Sequence, residues 1–267
     1  MPINLLRTAF VAANLGLVLM AGCAIPTESS SESLGDDQAA AVVSLNGLSS
    51  VNGLSSVNGL SSVNGLSSVN GLSTLGVVDG VGLMTTAEGR NTLGYLVRCA
   101  LPGGKYILKR DQTGKLYRFD GEIGVAPEWE KGACGTDCQE WVSACVLSHI
   151  NVKGNNISIW MDATNAKIQT GTNADFHNLE GAYFGNLFTS PPAAYSCWGA
   201  DWFDGSSVGR MCAGRSDCPY KSAGFCSFQC GMNPTGDSYS SCSPGYALPR
   251  SYTHVITTYL HSDPSAK

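Results

Sequence analysis

Two stretches of the chain carry apolar residues at helical spacing. In the first, Leu93, Leu96, Val97, Ala100 and Leu101 line one face, which predicts a helix. Thr85 and Glu88, three apart just ahead of it, form a capping box, and Pro102-Gly103-Gly104 stops it. The second covers about 137–151, with Thr136 as cap and Gly154 as stop. Cys138, Trp141, Val142, Cys145, Val146 and His149 form its inward stripe. Elsewhere the pattern is that of strands. Residues 106–111 and 115–120 flank Gln112-Thr113-Gly114 as a hairpin, and further strands are predicted at 157–161, 183–188 and 252–259. From 191 to 249 the chain is mostly Gly, Ser, Pro and Cys, which predicts loops. The expected fold is α+β: two helices with short antiparallel strands, plus a disulfide-rich loop lobe.

Ahead of this domain, expected at 85–267, the pattern changes altogether. The hexapeptide GLSSVN occurs four times without change between Gly47 and Asn70. Apolar residues recur every third place around it, from Leu45 through Leu66, Val69, Leu72 and Leu75 to Met84. A helix turns 100° per residue, so that spacing spreads the stripe around the cylinder, and Gly and Asn weaken a helix further. A six-residue period with Asn-Gly turns fits one wall of a β-solenoid, Leu and Val inward. The tract holds barely two solenoid coils, and such stacks want about three units. A flexible spacer over 44–84 is therefore the expectation. An acidic low-complexity tether, 23–43, precedes it, with Glu28, Glu32, Asp36 and Asp37 and no base.

Residues 1–22 read as a secretion signal: Arg7, then an apolar run to Ala21 shorter than the ~20 residues a membrane span needs. The run ends Leu19-Met20-Ala21-Gly22-Cys23, which resembles a bacterial lipobox with Met20 in place of the usual Leu. That resemblance implies cleavage before Cys23, acylation of its thiol and, with Ala24 following, display at the outer membrane or cell surface. The remaining cysteines are Cys99, Cys134, Cys138, Cys145, Cys197, Cys212, Cys218, Cys226, Cys230 and Cys242. An even set in an exported chain predicts five disulfides of open connectivity. No C-x-x-C pair occurs, so neither a metal nor a cofactor is expected. A formal charge of −5 excludes nucleic-acid binding by a basic face.

The segments NTLGYLVRCAL (91–101), CQEWVSACVLSHIN (138–151), EGAYFGNLF (180–188) and GRMCAG (209–214) resemble an uncharacterised family of cysteine-rich exported proteins from predatory soil bacteria. Members often carry similar NGLSS repeats. The resemblance spans most of 44–230 and implies no activity, so no catalytic residue is carried over.

Chemistry is sparse. His149, on the same face as Trp141 and Cys145, is expected to be a core residue with satisfied nitrogens. His177 and Glu180 make H-x-x-E, a ligand spacing only on a helix, which Gly181 argues against. His254 and His261 sit in or beyond the last strand. Gly205-Ser206-Ser207-Val208-Gly209 matches a nucleophile elbow in a loop that lacks the strand and helix the motif needs, although Asp237 and His254 follow in triad order. The strongest ligand-binding candidates are Tyr195, Trp198, Asp201, Trp202 and Asp204. Aromatic faces stack on sugar rings and carboxylates accept hydroxyl hydrogen bonds, while the competing reading packs both indoles on disulfides. The expected function is a lipid-anchored, surface-displayed binding or adhesion protein whose partners are the membrane and an extracellular glycan or protein. The alternatives are a secreted hydrolase acting on envelope or prey polymers, and a structural envelope or matrix component.

Overall fold

The structure, a computed structural model, describes residues 43–45, 48–49, 66–151, 157–200, 210–212, 218–245 and 251–262, all within the compact unit Leu34–Lys267. The leader, Cys23, most of the tether, the middle repeats, Asp201, Trp202, Asp204 and Gly205–Gly209 lie outside the described residues. Among the described residues no helix is long and apolar enough to cross a membrane.

The architecture is α+β. Its centre is a six-stranded sheet in the order β1 (Val43–Leu45), β6 (Ser158–Asp162), β12 (Ile256–Leu260), β7 (Asn178–Asn186), β8 (Ala193–Trp198), β9 (Lys221–Phe225). Every neighbouring pair is antiparallel except β8 and β9. Helices α1 (Ala87–Ala100) and α2 (Thr136–Ser148) belong to the larger core together with Ile159, Met161, Tyr183 and Ile256. A second core holds Ala182, Phe184, Cys197, Cys226, Cys242, Tyr252 and Val255. Along β7, Tyr183 therefore joins one core while Ala182 and Phe184 join the other, as period-two alternation requires. A strand buried on both sides reads as a continuous run, which is why EGAYFGN shows no polar alternation. Gly185 sits in β7 at φ +131, and a Cβ there would meet Ala193 O at 2.2 Å, so only glycine fits.

Helix α1 starts one residue later than the capping box predicts. Thr86 is the cap, its Oγ1 accepting from Gly89 N at 3.0 Å, and Glu88 takes no part in it. Helix α2 likewise differs at both ends. Gly135 occupies the N-cap, Thr136 is already helical, and His149 closes the helix. Ile150–Asn151 (β5) then pairs parallel with Leu48–Ser49 (β2) in place of a last helical turn. The hairpin of β3 (Tyr106–Arg110) and β4 (Leu116–Asp120) is as expected. Asp111 organises its turn: Oδ1 accepts from Thr113 Oγ1, Thr113 N and Lys115 N, and Oδ2 from Tyr117 OH. Those bonds, chiefly from the Thr113 hydroxyl, hold the Asp111 carboxyl down at about 2.

Two expectations are corrected. Residues 191–249 are not a pure loop lobe: β8 and β9 extend the main sheet, and α3 (Cys226–Gln229), β10 (Cys230–Met232) and β11 (Tyr239–Cys242) follow. These elements are three to six residues long and rich in Ser, Gly and Cys, too short for a hydrophobic period to mark them. Packing also begins before Thr85. Leu66, Leu72, Val77, Leu83 and Met84 are buried in the larger core, whereas Val69, Leu75 and Val81 are exposed. Only part of the three-residue stripe points inward, unlike either a free spacer or a solenoid wall over these residues. The last repeat is held by backbone groups: Cys134 N donates to Ser68 O at 2.7 Å and Trp129 Nε1 to Asn70 O at 3.1 Å. Gly71 lies so close beneath Lys131 that a Cβ would fall 2.4 Å from its carbonyl carbon.

All ten expected cysteines are bonded. The pairs are Cys99–Cys145, Cys134–Cys138, Cys197–Cys226, Cys212–Cys218 and Cys230–Cys242. The first links α1 to α2, and Cys197–Cys226 ties β8 to α3. Five bridges fit the oxidising surroundings of an exported protein.

Candidate functional site

Of the aromatic–acidic cluster 195–204, only Tyr195 and Trp198 are described, and the sheet separates them. Being three apart on β8 they point to opposite faces. Tyr195 is stacked on Phe184 (5.7 Å between centroids) and tilted against Tyr252 in the second core. Tyr195 thus serves packing in the second core. Trp198, half-buried, ends β8 opposite Phe225 and meets it edge-on at 5.6 Å. Phe225 in turn meets Phe228 of α3 at 6.3 Å, and Phe228 is 68% exposed. Trp198, Phe225 and Phe228 thus form a row at the β9 edge of the sheet, ending in a ring that projects into water. The two phenylalanines lie in a Gly-, Ser- and Cys-rich stretch and were not singled out from sequence; two aromatic residues three apart among small and polar neighbours were the available signal.

A second constellation joins α2 to the segment before β12. His254 Nδ1 lies 2.8 Å from Glu140 Oε2, and its Nε2 lies 3.8 Å from the exposed Asp137 Oδ1. Trp141 stands edge-on to the imidazole at 4.9 Å. A buried carboxylate on Nδ1 fixes the ring and leaves Nε2 facing Asp137. Glu140 was missed by sequence reasoning because it falls on the polar side of an amphipathic reading of α2, yet it is only 5% exposed. Asp237, the acid in triad order, is not on His254. Its carboxyl is tied to Thr235 Oγ1 and Asn233 Nδ2, which hold its pKa below the usual carboxylate range.

The other histidines are accounted for separately. His177 is exposed, its Nδ1 near Ala174 O and Ser262 Oγ, while Glu180 is buried against Arg210, so H-x-x-E does not converge. His261 stands edge-on to Phe176. His149 is fully buried, with Nδ1 2.8 Å from Cys145 O. Two groups of potential ligands lie close together, Cys99–Cys145 with His149 and Cys197–Cys226 with Cys230, but every sulfur in them is in a disulfide and offers no thiolate.

Burial drives the His149 imidazole down to about 3 from its ordinary 6.5, outweighing the hydrogen bond to Cys145 O. A depressed histidine excludes protons the unfolded chain accepts. Its stabilising contribution is complete above pH 6.5 and is lost as pH falls toward 3. At pH 5 the loss through this one side chain is roughly 2 kcal/mol relative to pH 7. Urea denaturation at the two pH values checks this: His149→Asn should flatten the difference by about that amount.

Comparison with protein-family models, with curated proteins and with solved structures finds no match for this chain.

Proposed function

We propose that this chain is an exported, lipid-anchored, surface-displayed binding protein whose disulfide-stapled head engages an external ligand, a glycan being the favoured class, along Trp198, Phe225 and Phe228. The observation that carries this is the exposed Phe228 ring at the end of an edge-to-face row. A monomeric domain keeps so large a ring in water at a cost, and aromatic side chains dominate binding energy at recognition sites. Lipid anchoring through Cys23 rests on the lipobox resemblance, and the family of NGLSS-repeat exported proteins fits the same setting. A glycan array with wild type, Phe228→Ala and Trp198→Ala tests the row. At least a tenfold loss of the strongest signal in Phe228→Ala is expected, with its melting temperature unchanged; identical binding patterns would retire the site.

One observation favours the hydrolase as a second reading. The Glu140–His254 pair has the geometry of an oriented general base, with Nε2 toward the exposed Asp137. A turnover assay on isolated envelope polymers that is abolished by His254→Gln would support it over binding alone.

A further inference from the structure

The β3–β4 hairpin carries large apolar side chains on both of its sides. Its inner side buries Ile107 and Phe119, the latter next to α1 at Gly94. Its outer side, where a half-buried sheet normally alternates to polar residues, carries Tyr106, Leu108 and Leu116. The segment after the last repeat runs beside the same strand. Lys109 Nζ donates to Thr74 O at 2.7 Å, Gly80 N to Arg110 O at 2.8 Å, and Arg110 N to Asp79 Oδ1 at 2.8 Å. That segment adds exposed Leu75, Val78 and Val81, so six of the large apolar side chains in water, each 42–65% exposed, belong to this one part of the molecule.

Charge is concentrated there too. Between Lys105 and Asp120 the chain has five bases, of which Lys109 is buried, and two acids, and Asp79 of the adjoining segment adds a third acid, in a protein whose formal charge is −5. Lys105, Arg110, Lys115 and Arg118 are exposed. Arg118 pairs with Asp120 and lies 4.0 Å over the Tyr106 ring, and Lys105 pairs with Glu130.

We propose that this face docks on the surface of an anionic lipid bilayer, with Tyr106, Leu108 and Leu116 entering the headgroup boundary and the cations meeting lipid phosphates. Protruding aliphatic and aromatic side chains interleaved with Lys and Arg are the composition of interfacial membrane contacts. A second copy of the chain is the poorer occupant, because a two-fold contact would bring two basic hairpins together. The inference stands apart from both the acyl group at Cys23 and the aromatic row.

The test uses the chain from Ala24 onward, which keeps every described residue and carries no acyl group. It is sedimented with phosphatidylcholine vesicles and with vesicles containing 30% phosphatidylglycerol (about a third of the lipid, enough for a strong surface potential). Binding to the anionic vesicles alone is expected, falling steeply between 0.1 and 0.5 M salt (Debye length shrinking from about 10 Å toward 4 Å). Leu108→Asp with Leu116→Asp should lower the partition coefficient at least tenfold, and Lys115→Glu roughly fivefold or more. Both sites are exposed, and an unchanged circular-dichroism melt verifies the fold. Equal partition of wild type and variants, or equal affinity for neutral vesicles, overturns the proposal. So does a concentration-dependent dimer that Leu108→Asp dissolves while no vesicle binding is seen. Phe228→Ala must leave vesicle binding unchanged, which separates this face from the aromatic row.

Discussion

Replacing Arg210 by alanine is expected to destabilise the protein by about 3–5 kcal/mol, the cost of leaving one member of a buried ion pair alone. Arg210 is fully buried. Its Nε donates to Glu180 Oε1 at 2.8 Å, and its Nη2 to Glu180 Oε2 and to Tyr183 OH. Nη1 donates to Ser148 O at 2.6 Å and Ile150 O at 3.2 Å, carbonyls at and just past the C-terminal end of α2. Thr258 Oγ1 completes the carboxylate at 2.8 Å. Desolvation, the largest single effect, opposes the charged guanidinium, but Glu180 together with Tyr183 and Tyr220 outweighs it and raises the pKa further above its already high ordinary value. Burial also pushes the nearby Tyr220 phenol up to about 12, so neither of the cluster's tyrosines competes for negative charge at neutral pH. Without Arg210, Glu180 is left a desolvated anion and two carbonyls lose their donor. Lysine is no substitute, since one ammonium cannot reproduce the bidentate fork. Guanidinium denaturation of Arg210→Ala, Glu180→Gln and the double variant checks the argument. The double should cost markedly less than the sum of the singles, and simple additivity would refute the coupling.

Removing the Cys99–Cys145 bridge as a pair of alanines is expected to cost about 4 kcal/mol, from the entropy of opening a loop of that length. The two residues are 46 apart in sequence and fully buried, and they join α1 to α2. Removing Cys134–Cys138, separated by only 4 residues, should cost roughly 2 kcal/mol by the same reasoning. The order of denaturation midpoints across single-bridge deletions should follow sequence separation, with Cys99–Cys145 lowest. A Cys134–Cys138 deletion as damaging as the first would show that packing around the sulfurs, not loop closure, sets their value.

The parts of the fold that could be read from the chain are those with a local cause. The helices came from the spacing of Leu93, Leu96 and Val97 and of Val142, Cys145 and Val146; the hairpin from the turn at Gln112-Thr113-Gly114; the bridges from an even number of cysteines. Strands β8 to β11 had no such cause, because they exist through pairing with β7 and with each other. The sites were less legible still. Glu140 and His254 are 114 residues apart and Arg210 and Glu180 are 30, so only the closed chain reveals them. The end of the repeat tract was misplaced for a related reason. Its hexads are identical in sequence, but Trp129 and the backbone beside Lys131 and Cys134 receive the last of them.

Both extremes of the repeat run are moored to the same body. Leu48–Ser49 of the first copy pairs with Ile150–Asn151, and Leu66 of the fourth is buried. Gaining or losing a hexad would therefore alter how much polypeptide runs between two points of attachment on the same domain, each of which keeps its own partners.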